Sequence, residues 1–120
     1  RRNYWKAKEV YDKMSPFNYA DKLKTPILII HGQMDNNTGT FPIQSERLYH
    51  AVAGHGGTAR YLQLPYESHG YSAYENVMHM LYETDAWLAK WLSPEEVAKV
   101  KERQKKEQER KDKAKDKKNE

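Results

Sequence analysis

Cysteine is absent from these 120 residues. The chain therefore has no disulfide framework, no thiolate zinc site and no cysteine nucleophile, while the absence itself selects no redox compartment. Long apolar runs are missing as well. Runs such as Ile27-Leu28-Ile29-Ile30 fall far short of the ~20 residues of a membrane-spanning helix, so no span is expected. No stretch has the apolar centre of a signal peptide. The chain begins Arg1-Arg2-Asn3 without Met, which points to a processed product or a piece of a longer protein; any targeting signal would then have gone with the missing part.

Hydrophobic residues are scarce, at 38%, against 32% charged. A chain of this length amounts to one small domain, and it buries roughly 60–70% of its unfolded surface only if all of it is ordered. The charge is unevenly placed. Residues 93–120 carry eleven Lys/Arg against eight Asp/Glu, and residues 1–92 carry ten against nine. The basic excess thus belongs to the tail, and the rest is nearly neutral. A nucleic-acid-binding domain usually carries its basic patch on the fold itself, so no nucleic-acid partner is expected.

The spacing of Tyr4, Trp5, Ala7, Val10, Tyr11 and Met14 predicts an amphipathic helix over residues 3–14, broken by Ser15-Pro16. A turn or a single helical turn follows over 17–23. Residues 27–31 form a β-branched-rich run with no polar alternation, the pattern of a strand buried on both faces of a parallel sheet. A polar loop then runs from Gln33 to Thr40. Pro42 opens a helix that Gly54 should stop. Arg60–Leu64 is a second strand. Ser72 with Glu75, and Ser93 with Glu96, read as capping boxes at two further helix starts. Beyond Lys101 no apolar face remains, so the tail should be a solvated, fraying helix or disordered. No internal repeat is present.

Strand, loop, helix, strand, loop, helix is the order of an α/β sandwich with a parallel sheet. Two strands are too few for a stable sheet covered on both faces. The chain is expected to be the last two βα units of a larger, mainly parallel sheet, with residues 1–92 in that domain and residues 93–120 a charged tail.

Loops at the carboxyl ends of parallel strands are where such folds gather their chemistry. The first loop carries Asp35, Asn36 and Asn37, and the second carries Glu67, His69 and Gly70. An acid on one loop and a histidine on the next is the acid–base half of an α/β-hydrolase triad, whose chain order is Ser…Asp…His. The histidine takes a proton from the nucleophile and returns it later, and the carboxylate fixes its tautomer and stabilises the imidazolium. Simpler readings stand beside this one. A histidine next to glycine is often only a turn residue, and Asp-Asn-Asn is common turn chemistry because such side chains bond their own backbone.

Thr25-Pro26-Ile27-Leu28-Ile29-Ile30-His31-Gly32-Gln33-Met34-Asp35-Asn36-Asn37 resembles the acid loop of the prolyl oligopeptidase family of serine peptidases. Glu67-Ser68-His69-Gly70-Tyr71 resembles that family's histidine loop. The stretches Gly39–Arg47, Gly54–Gly57 and Met78–Asp85 are similar to the glutamyl endopeptidase branch, known from plant chloroplasts and from bacteria. The resemblance covers about residues 11–92. It implies an α/β-hydrolase domain preceded by a β-propeller, a serine peptidase acting on peptide or protein substrates without a cofactor, and cleavage after glutamate. It matches Asp35 to the triad acid and His69 to the base, and sets Asn37 near the site. It is compatible with a plastid or a bacterial extracytoplasmic space and leaves the compartment unknown.

One departure outweighs the matches. No Gly-x-Ser-x-Gly occurs, and Ser15, Ser45, Ser68, Ser72 and Ser93 all lack that context. The strained elbow that exposes the nucleophile is therefore expected in an N-terminal part of the same protein, and this chain alone is expected to be inactive. An esterase of the same fold, and a non-catalytic interaction module with a basic tail, are the alternatives. His31, His50, His55 and His79 show no metal-ligand spacing, and no metal is expected; His31 reads as the end of a buried strand. The three tryptophans and nine tyrosines fall mainly at helix-core spacing, which favours packing over base stacking. Phe41, Tyr66 and Tyr71 are candidate pocket-lining residues beside the two loops.

Overall fold

The computed structural model describes residues 2–116; Arg1 and the last four residues of the charged tail lie outside the described residues. A 3-10 turn at Tyr4–Lys6 leads into helix α1 at Lys8–Met14, and a kinked 3-10 stretch covers Pro16–Lys22. Strand β1 is Ile27–Gly32, helix α2 Pro42–Gly54, strand β2 Ala59–Leu64, helix α3 Tyr74–Trp91 and helix α4 Pro94–Asp116. The chain divides into two compact units between Tyr82 and Glu83, within α3.

β1 and β2 pair in parallel, Ile27 opposite Ala59 and Gly32 opposite Leu64. The α2 crossover makes this pairing possible, because parallel neighbours need a connection long enough to return to the same end of the sheet. α2 packs on both strands and on the Pro16–Lys22 stretch. The small core is Val52 of α2 with Leu64, Leu62, Ile29 and Ala20. Full burial of β1 on both faces, which its apolar run predicts, is not reached. Ile29 and Gly32 are buried and the rest of the strand is half-buried, because among the described residues the sheet has only these two strands.

Three local expectations need correction. The helix expected over 3–14 is interrupted at Ala7, whose φ of −150° and ψ of 42° are not helical. There the Asn3 side chain accepts the Lys6 N–H at 3.1 Å and closes a tighter turn. The would-be apolar stripe of this segment faces outward, with Trp5 86% exposed. α2 runs through Gly54 rather than stopping before it. Its left-handed residue is Gly56 at φ 75°, and the Gly57 and Gly56 N–H groups bond the Val52 and Ala53 carbonyls, each at 2.9 Å. That pair of bonds is a Schellman stop. The third correction concerns the start of α3, where no Ser72–Glu75 box forms the cap. The buried Glu67 carboxylate instead accepts the Ser72 N–H at 3.0 Å, the Ala73 N–H at 2.8 Å and the Asn76 side-chain amide at 3.1 Å. An anion at a helix start satisfies free N–H groups and suits the helix dipole.

At the start of α4 one half of the expected box is present, while the Glu96 carboxylate pairs with Lys99. Ser93 Oγ accepts the Glu96 N–H at 3.2 Å, and Pro94 is the first helical residue. Of the two states expected for the tail, the structure shows a helix through Asp116. Lys99–Glu96 and Lys106–Glu102 pairs at 2.6 Å lie along it, and such exposed pairs add little stability.

What positions the two carboxyl-end loops is a backbone crossing. The Gln33 N–H extends the ladder to the Leu64 carbonyl at 2.8 Å, and the Met34 N–H bonds the Glu67 carbonyl at 2.8 Å. The chain turns from β2 through Pro65 and Tyr66, and Tyr66 takes φ 60°, an uncommon conformation for a residue with a side chain. The loop then passes over Gly32 so closely that a Cβ there would lie 2.2 Å from the Ser68 carbonyl oxygen and 2.6 Å from that of Glu67. Gly32→Ala is expected to lower the free energy of unfolding by about 1–3 kcal/mol, the usual cost of an extra methyl in filled space. The readout is a lower urea midpoint; an unchanged midpoint would mean that the loop yields freely.

The Ser72 N–H, then Asn76 and the Ala73 N–H, hold the Glu67 carboxyl below the ordinary glutamate range, against the opposing effect of burial. The folded-state value lies below the unfolded one. The stability it contributes is therefore present above the unfolded value and is lost as pH falls through the folded value. Glu67→Gln should flatten the acid side of the stability curve, so that urea midpoints of variant and wild type differ near neutrality and converge in acid. Parallel curves at all pH values would contradict this.

Candidate functional site

Asp35 and His69 are 34 residues apart in sequence, and the crossing at Gly32 brings them together. His69 Nδ1 lies 2.9 Å from Asp35 Oδ2. The Asp35 side chain is 4% exposed and that of His69 is 60% exposed. A deeply set acid holding a surface histidine by Nδ1 leaves Nε2 as the nitrogen that can meet a nucleophile.

The Asp35 carboxylate has further partners. Oδ1 accepts the Asn37 N–H at 2.9 Å, the turn chemistry expected of such a sequence. Asn37 thus reaches the site through its backbone. Oδ2 is also 3.0 Å from His31 Nε2. The bond from His69 is the main cause that keeps the Asp35 carboxyl below its usual range; burial opposes it, and the Asn37 N–H and His31 assist it. A carboxylate accepting several N–H groups stays ionised at neutral pH, the state the proton chemistry of a histidine requires.

The loop ends are fixed in turn. Thr40 Oγ1 donates to the Asn37 carbonyl at 3.0 Å and lies 3.5 Å from His69 Nδ1. Tyr71 is half-buried and donates its hydroxyl to the Ile30 carbonyl at 3.3 Å, so it fastens the histidine loop to β1. Tyr66 and Phe41, the other two candidate lining residues, are exposed. His50 sits on α2, His79 on α3 and His55 at the end of α2, all away from Asp35 in the hydrogen-bond network. Among the described residues no group of three or more His, Asp or Glu side chains has the arrangement of a metal site.

His31, by sequence the end of a buried strand, also joins the site. Its i, i+4 spacing to Asp35 was the available signal. That spacing usually marks neighbours on a helix; here β1 ends between the two residues and the turn at Gly32–Asp35, closed by the Asp35 N–H to the Gly32 carbonyl at 3.2 Å, folds the acid back over the strand.

The arrangement can do one kind of chemistry on its own: accept a proton at an exposed imidazole, with the charge of the imidazolium stabilised by the buried carboxylate beside it. None of the five serines is a hydrogen-bond partner of His69 among the described residues.

Comparison with known proteins places the chain in a family. The model of the prolyl oligopeptidase family matches residues 1–95. A probable chloroplastic glutamyl endopeptidase of Arabidopsis thaliana is 55% identical over 93 residues, covering 78% of this chain and 10% of that protein. A probable chloroplastic glutamyl endopeptidase of Oryza sativa subsp. japonica is 54% identical over 90 residues, covering 75% of this chain and 10% of that protein. The chain thus spans about a tenth of the length of these curated relatives. With that family's model matched over residues 1–95, this chain belongs to the prolyl oligopeptidase family.

Proposed function

We propose that this chain is the acid–base portion of a serine peptidase, with His69 as general base and acid and Asp35 as the carboxylate that orients it. The observation that carries this reading is the 2.9 Å contact between His69 Nδ1 and a buried Asp35 oxygen. The nucleophilic serine comes from a part of the protein outside this chain, which also supplies the further strands of the α/β-hydrolase sheet. Residues 1–92 are then the end of the catalytic domain, its last two βα units, and residues 93–120 a charged appendage to it.

The chemistry follows from the two nitrogens of one ring. Asp35 accepts the Nδ1–H, so Nε2 is the basic nitrogen. Nε2 takes the serine hydroxyl proton as the oxygen adds to the peptide carbonyl, and the imidazolium that forms sits against the Asp35 charge. The same proton passes to the departing amine as the C–N bond breaks, leaving an acyl-serine. A water molecule then gives its proton to Nε2 while its oxygen attacks the ester, and the returned proton restores the serine. No step calls on a cofactor. Cleavage after glutamate and a plastid location are drawn from the names of the two plant relatives, since no residue of this chain carries either.

The test is the complete protein treated with a fluorophosphonate serine probe and with a peptide substrate. His69→Ala and Asp35→Ala are each expected to reduce turnover by about 10⁴-fold, with probe labelling lost in step. This chain expressed alone should label with nothing. Near-normal turnover of His69→Ala in the complete protein would reject the assignment, and no labelling of the wild-type protein would favour a non-catalytic module.

A further inference from the structure

Asp35 Oδ2 faces two imidazoles, and only one of them belongs to the proposed mechanism. The other, His31, is the fifth residue of β1, and its side chain is 13% exposed. Its Nε2 lies 3.0 Å from Asp35 Oδ2 and 2.8 Å from the Thr40 carbonyl oxygen, and its Nδ1 lies 2.7 Å from Ser45 Oγ. The backbone carbonyl can only accept a hydrogen bond, and so can an ionised carboxylate. Nε2 must therefore carry the proton and share it between them. Ser45, in the first turn of α2, then donates its hydroxyl to Nδ1 of the neutral ring, or accepts from Nδ1 if the ring is charged.

We infer that His31 is a positioning residue for Asp35, a fixed donor that holds Oδ2 in the orientation His69 uses; this rests on the function proposed above. Residues 33–41, which carry the acid, contain no helix or strand. The Asp carboxylate torsion is a soft, broad one. The Asn37 N–H pins Oδ1, but on the Oδ2 side the other hydrogen-bond partner among the described residues is His69, itself mostly in solvent. A base that must exchange protons and move by fractions of an ångström is a poor anchor for its own support. His31 is a good one. It sits on the paired strand, its ring is nearly enclosed, and it ties together Asp35, the far end of the same loop at Thr40, and α2 at Ser45. One imidazole thereby fixes the acid relative to the strand and to the helix that follows.

The donor is needed at the Nε2 position, which gives the test its resolution. The amide nitrogen of glutamine can stand where Nε2 stands, whereas that of asparagine reaches only as far as Nδ1. In the complete protein, His31→Phe keeps the bulk and removes both ring nitrogens, and it is expected to lower kcat about 10²-fold with KM little changed, the scale of a misplacement by about 1 Å. His31→Asn should fall with it, and His31→Gln should recover at least tenfold of the loss. The maximal rate of fluorophosphonate labelling should follow the same order, with thermal melting recorded for each variant. If all three variants lose activity alike in proportion to lost stability, His31 only packs, and the inference is overturned. It is equally overturned if none loses activity while His69→Ala is dead. If His69→Ala itself stays active, the proposed function fails first and His31 has no base to serve. Ser45→Ala offers a milder check. It removes the partner of Nδ1 without touching the donor to Asp35, and its loss of kcat should be smaller than that of His31→Phe; a larger loss would contradict the inference.

Discussion

The closeness of two backbones at Gly32 governs this site. Parallel pairing of β1 with β2 delivers both strand ends to the same edge, but pairing alone would leave the two loops to diverge. They meet because the segment after β2 lies directly on the end of β1, its Glu67 carbonyl bonded to the Met34 N–H and its Ser68 carbonyl filling the space a side chain at residue 32 would take. A glycine is required there for room rather than for backbone torsion. The meeting of the two loops is thus a property of main-chain contacts.

The two oxygens of Asp35 reconcile readings that compete at the level of sequence. An Asp-Asn-Asn stretch is legible as turn chemistry or as a functional acid, and the geometry is compatible with both: Oδ1 closes the turn on Asn37 while Oδ2 faces the imidazoles. The turn is what aims the second oxygen. In the proposed function, burial of the acid and exposure of the imidazole divide the labour between a group that must remain charged and a group that must exchange protons.

Much of this was readable from the residues. The β-branched-rich run at 27–30 and the segment 60–64, stopped by Pro65, mark two strands, Pro42 marks the start of α2, and the Asp and His loops are recognisable as words. What escaped depends on contacts between segments far apart in the chain. Ser72 and Glu75 have the spacing of a cap, yet Glu67 reaches α3 first because the tight turn at Tyr66 swings it beneath the helix start. Gly54 looks like the helix stop, but the glycine that takes the left-handed conformation is Gly56, whose neighbour Gly57 sits against Val52 in the core. His31 reads as a strand residue because its link to Asp35 passes through a turn. The periodic helix of residues 3–14 fails for a different reason: among the described residues its apolar side stays largely exposed, and periodicity without packing does not hold a helix.

Glu67 closes the histidine-bearing loop into a ring. From its carboxylate to the Ser72 and Ala73 N–H groups, the segment returns on itself through side-chain bonds, with His69 at the middle of the circuit. A ring has a fixed circumference. One residue more or fewer between Glu67 and Ala73 would change where His69 points even if every remaining contact could form. Length, and not only composition, is therefore under constraint in this loop, and insertions should be tolerated along the chain in inverse proportion to how much of it is closed in this way.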